Sequence, residues 1–90
     1  MKAELHMLKS NEGGRKAPCF SGYTPTVDLG DGDMKAFVTL PADAEMLTAG
    51  QTMVVTVTLP RPVLIAVRTR FDVRDGDRIV GKGVVTELLA

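Results

Sequence analysis

Apolar and polar side chains alternate with a period of two along residues 34–40 and 52–59, and no stretch of useful length carries the 3.6-residue period of an amphipathic helix. Successive side chains point to opposite faces only in a pleated strand, so both stretches read as strands with one face buried. In the second, Met53, Val55, Val57 and Leu59 share one face while Thr52, Thr56 and Thr58 share the other. Further strands are predicted at residues 3–8, 26–29, 69–74 and 79–89, the last with a bend or bulge at Gly81 and Gly83. Turn-forming residues separate these runs: Gly13-Gly14, Pro25, Asp31-Gly32, Pro41, Ala49-Gly50, Pro60 with Pro62, and Asp75-Gly76. In Arg74-Asp75-Gly76-Asp77-Arg78 the glycine supplies the positive φ of a tight hairpin between two apolar runs.

Six short strands in 90 residues, 44% of them hydrophobic, make one domain over residues 1–90, with room for one core and none for a separate catalytic module. Closure into an antiparallel β-barrel leaves no exposed edges and is the simplest architecture for them. Because Phe20, Phe37, Phe71 and Tyr23 are the only aromatics, the core is aliphatic. Eleven basic and eleven acidic side chains cancel, so any attraction to nucleic acid or anionic lipid comes from a local patch. A lone cysteine, Cys19, excludes an intramolecular disulfide and a Cys/His zinc cluster. No run approaches the length of a membrane span, and Glu4 and His6 interrupt the opening residues where a leader would be apolar, so a cytoplasmic protein without membrane contact is expected.

Three separated blocks carry a family likeness. They are Asn11-Glu12-Gly13-Gly14-Arg15 with Phe20-Ser21-Gly22-Tyr23-Thr24-Pro25; Leu40-Pro41 with Glu45-Met46 and Ala49-Gly50; and Arg70-Phe71 running on through Arg74-Asp75-Gly76-Asp77-Arg78 to Gly81-Lys82-Gly83-Val84-Val85. In order and spacing they resemble the C-terminal domain of bacterial elongation factor Tu, and the likeness covers nearly the whole chain. What it implies is a closed six-stranded antiparallel barrel, here free-standing, that in the family follows a GTPase domain and a second barrel, helps hold the T-stem of aminoacyl-tRNA and touches other translation-factor proteins. By the same likeness Arg15, Lys16, Thr26, Lys35, Arg61 and Gly76 are RNA-contact positions, and Gly13 and Asp72 are partner-interface positions. Cations on a rigid barrel suit that role, since double-stranded RNA is read through its shape, phosphates and 2′-hydroxyls. Two departures stand out: Thr26 replaces a common glutamine, and Val27-Asp28-Leu29-Gly30 replaces an aromatic strand ending in arginine.

No catalytic residue and no cofactor is expected. A P-loop requires Gly-x-x-x-x-Gly-Lys-Ser/Thr, which does not occur; Gly13-Gly14-Arg15-Lys16 lacks the spacing and the hydroxyl. Asp28, Asp31 and Asp33 bring carboxylates together, but without the ligand series of a calcium loop they read as an Asp-Gly turn. His6 has no triad partners and reads as a packed strand residue. Cys19 reads as a small hydrophobe with only Lys16 nearby to lower its pKa. Asp72, on a strand face that in the family meets the GTPase domain, reads as water-facing. Residues 62–67, Pro-Val-Leu-Ile-Ala-Val, read first as a buried strand extension and second as an exposed apolar patch. Two functions follow: a binding module for aminoacyl-tRNA or a translation-factor protein, or a structural barrel that has lost the tRNA role and self-associates as a homodimer through residues 63–67.

Overall fold

The computed structural model describes residues 1–30 and 32–88. Seven strands form one antiparallel sheet: β1 (Lys2–Met7), β2 (Thr26–Asp28), β3 (Asp33–Lys35), β4 (Phe37–Thr39), β5 (Thr52–Thr58), β6 (Arg70–Asp75) and β7 (Arg78–Glu87). The one helical element among the described residues is a 3-10 turn at Ser10–Glu12. No helix among them is long and apolar enough to cross a membrane.

The strand order is β3-β2-β6-β7-β1-β5-β4. Its two outermost strands, β3 and β4, are separated in the chain by Ala36 alone. One continuous segment therefore lies at both ends of the ladder, which rolls the sheet into a barrel. Along it the pleat never loses phase: Met34, Ala36, Val38 and Leu40 are buried while Asp33, Lys35, Phe37 and Thr39 are exposed. What changes at Ala36 is the partner. Lys35 pairs with Thr26 and Phe37 with Thr58, while the Ala36 N–H donates to the carbonyl of Pro25 (2.9 Å). Counted as one, β3 and β4 make the six expected strands, and the predicted strand at 34–40 is this segment.

The core is aliphatic, as the composition requires, and centres on Leu5, Val27, Val38, Val55, Val73 and Val85. β7 carries the expected irregularity. Its register against β6 slips between Val73 and Arg74, so that Val80 and Gly81 are consecutive buried residues. Gly83 is needed for packing: opposite it in the ladder stands Phe71, and a Cβ on Gly83 would lie 2.3 Å from the Phe71 ring. The glycine leaves the space that the core's one buried phenylalanine fills.

Two expectations need correction. Residues 62–67 do not extend a strand; they run as coil in which Val63 and Ile65 pack partly on the core while Leu64 is fully exposed (101%). Pro60 and Pro62 remove ladder donors at the point where β5 would continue. His6 is not packed. It stands on the outer face of β1, with Nδ1 2.8 Å from Thr52 Oγ1 across the ladder. The predicted turn residue Asp31, and Leu89 at the end of the predicted strand 79–89, lie outside the described residues.

Replacing Gly83 by alanine is expected to destabilise the barrel by about 1–3 kcal/mol, the usual range for overpacking. Urea unfolding measures it, and the double variant Gly83→Ala/Phe71→Leu should recover part of the loss.

Candidate nucleic-acid interface

Both halves of the first motif block and the β6–β7 hairpin meet at one carboxylate. Asp75 accepts a hydrogen bond from Tyr23 Oη (2.6 Å, at Oδ1) and a salt-bridging one from Arg15 Nη1 (2.9 Å, at Oδ2). The Arg15 guanidinium also lies over the Tyr23 ring, 4.7 Å from its centroid, a cation–π contact. Both carboxylate oxygens are thus occupied by partners 60 and 52 residues away in the chain. From the same hairpin Arg78 reaches back to the carbonyl of Gly14 (3.4 Å). The glycine pair has its own structural reason: Gly13 adopts φ 92°, and a Cβ on Gly14 would sit 2.1 Å from the Leu8 carbonyl oxygen.

Burial and the negative Asp75 beside it push the Tyr23 hydroxyl well above its ordinary range. Burial likewise pushes the Cys19 thiol up, against an opposing pull from Arg15 rather than from Lys16. Cys19 is a buried core residue.

The hairpin that this cluster holds ends in a two-residue loop, Gly76-Asp77, with Gly76 at φ 61°. Gly76 lines a shallow groove together with Thr26, Lys35, Met34 and Arg74. The ladder explains the grouping, because Thr26 pairs with Lys35 on one side and with Arg74 on the other. Three of the six residues expected to contact RNA therefore share one surface. Arg61 is exposed, with its Nη2 near the β2–β3 turn, 3.9 Å from where a Cβ on Gly32 would be. Lys16 is exposed beside the cluster, whereas Arg15 is committed to Asp75.

Acidic groups temper the groove. Asp33 and Asp77 line it too, and Asp33 forms an ion pair with Arg74, so Lys35 supplies much of its positive charge. Asp28 caps a turn of its own, accepting from the Gly30 N–H (2.8 Å). No cluster of carboxylate, histidine and cysteine side chains that could hold a metal occurs among the described residues. Of the partner-interface positions, Gly13 is exposed in its turn, and Asp72 is exposed on β6 opposite Lys82, outside the groove but two residues along the strand from its Arg74. Sequence reasoning missed Asp75 as the hub and Arg74 as a groove residue. Both sit in a quoted block, but their partners are distant in the chain and no local spacing announces them.

Replacing Tyr23 by phenylalanine removes a hydrogen bond to a charged group and is expected to cost roughly 1–2 kcal/mol in thermal or urea unfolding. A hydroxyl whose pKa is raised by folding stabilises the protein fully below its unfolded value of about 10, and that stability is lost as pH rises further. The wild type should therefore weaken above about pH 10 more steeply than Tyr23→Phe.

The family model described as elongation factor Tu C-terminal domain matches residues 1–89. That span takes in every strand, the Asp75 cluster and the hairpin groove, and the all-β barrel agrees with it. The chain belongs to the elongation factor Tu C-terminal domain family.

Proposed function

We propose that this chain is a non-catalytic, cytoplasmic binding module of the translation apparatus whose hairpin groove meets the backbone of a base-paired RNA stem, with aminoacyl-tRNA as its ligand. The observation that carries this reading is the convergence of Thr26, Lys35 and Gly76 on one groove in a chain of this family. Each part has a physical role. Gly76, bare at a tight turn, lets the hairpin backbone come close to a ribose-phosphate chain. Lys35 neutralises a phosphate, and the Thr26 hydroxyl is suited to a 2′-hydroxyl or a phosphate oxygen. Lys16 and Arg61 extend the positive surface on either side, and Arg15 acts indirectly by holding Asp75 and hence the hairpin. With no aromatic stacking platform beside the groove, contact is to the backbone and shape of the RNA rather than to its bases.

A second reading is a protein-interaction barrel that has lost the tRNA role. The Arg74–Asp33 ion pair favours it, because a carboxylate at the groove repels phosphate and neutralises the nearest arginine. Partner contact would then fall on the exposed Asp72 face of β6 or on the Gly13 turn.

Titration with aminoacyl-tRNA at low salt separates the two. Saturable binding is expected, with the triple variant Lys16→Ala/Lys35→Ala/Arg61→Ala binding more weakly and its slope of log K against log salt reduced by about 2–3, roughly one for each phosphate no longer neutralised. Absence of binding by the wild type at low salt eliminates the RNA reading and leaves the protein-interaction one.

A further inference from the structure

One cation of the hairpin groove is already taken by the protein itself. Arg74 lines the groove with Thr26, Lys35 and Gly76. In the ladder Lys35 stands opposite Thr26, and Thr26 opposite Arg74. Side chains opposite one another point to the same face, so the lysine and the arginine flank the threonine hydroxyl from both sides. Their backbones are two strand spacings apart, about 10 Å. Two long cations around a hydroxyl suit a phosphodiester chain, and a guanidinium can hold two oxygens of one phosphate at once.

Asp33 stands in the way. It lies two residues before Lys35 on β3, exposed on the same face, and its carboxylate forms the ion pair with Arg74. Across the ladder it faces Asp28, so two like charges stand opposite each other and Arg74 offsets them. The hydrogen bond to Asp33 pushes the Arg74 pKa up, and the charges of Asp33, Asp28 and Asp77 act in the same direction. The pair is nevertheless open to water: the Asp33 side chain is 59% exposed and that of Arg74 23%. An ion pair so exposed is weak, and a phosphate can replace the carboxylate without leaving either charge buried.

We infer that Arg74 is a further phosphate-binding residue of the groove, which an RNA backbone engages by displacing the Asp33 carboxylate. This inference rests on the RNA reading of the groove and adds its regulation. Asp33 is an internal competitor that occupies Arg74 in the free protein and holds affinity down. The same ion pair that repels phosphate when closed supplies one more cation when it opens. The groove then meets the RNA with Lys35 and Arg74 together, rather than with Lys35 alone.

The test is titration with aminoacyl-tRNA between about 50 and 200 mM salt, using the wild type, Asp33→Asn, Asp33→Ser, Arg74→Gln and the double variant Asp33→Asn/Arg74→Gln. Both neutral replacements of Asp33 are expected to bind about fivefold more tightly than wild type at the low-salt end. Their slope of log K against log salt should also steepen toward one additional phosphate. In the double variant the gain over Arg74→Gln should vanish, because the freed cation is no longer there. Asp33 lies on the exposed face, and circular dichroism of each variant establishes that it is folded. If wild type binds and neither Asp33 variant binds more tightly, the inference is overturned while the RNA reading stands. A gain that persists undiminished without Arg74 overturns it too, since loss of any nearby negative charge would then explain the effect. Absence of binding by all five proteins overturns both.

Discussion

A single residue step closes this molecule. Residues 33–39 pair with β2 through their first half and with β5 through their second, and the exchange takes place at Ala36, whose N–H is held by Pro25. A larger side chain at this buried crossing would have to displace the core, and a break in the pleat would turn Met34 or Val38 toward water. Because the segment keeps its phase through the crossing, one strand serves both ends of the ladder. Every other pairing in the sheet is ordered by that return.

On this closed frame the Asp75 cluster does for the hairpin what Ala36 does for the sheet. A carboxylate on β6 binds an arginine and a tyrosine from the two halves of the first motif block, so three separate segments share one electrostatic anchor. The pair is only partly buried, and its contribution is better regarded as orientation than as bulk stability. The hairpin it orients carries Gly76 at its tip, beside Thr26 and Lys35. Family membership and local geometry thus point to the same surface, while its mixed charge makes affinity depend on a few exposed cations rather than on a strong field.

Much of the fold was legible because it rests on local rules. The alternation at 52–59 put Val55 and Val57 inward, the Asp-Gly pair at 75 and 76 marked a hairpin, and glycines in the last strand marked an irregularity that the Val73/Arg74 slip displays. The reading failed at residues 62–67, where β-branched residues suggested a strand. Propensity counts side chains; it does not know that the prolines end β5 or that no strand on the sheet is left to receive them. It failed at His6 for a related reason: alternation shows that residues 4 and 6 share a face but not whether that face is apolar in the folded barrel.

By itself the sequence determined the strand content, the aliphatic core and the family, since these follow from side-chain period, composition and motif blocks in a fixed order. Only the tertiary structure decided that Arg15 is held by Asp75 while Lys35 stands exposed in the groove. Those outcomes depend on which residues closure brings together across 50 or 60 positions of chain, as in the Tyr23 and Arg15 contacts to Asp75. Local periodicity carries no information about that distance.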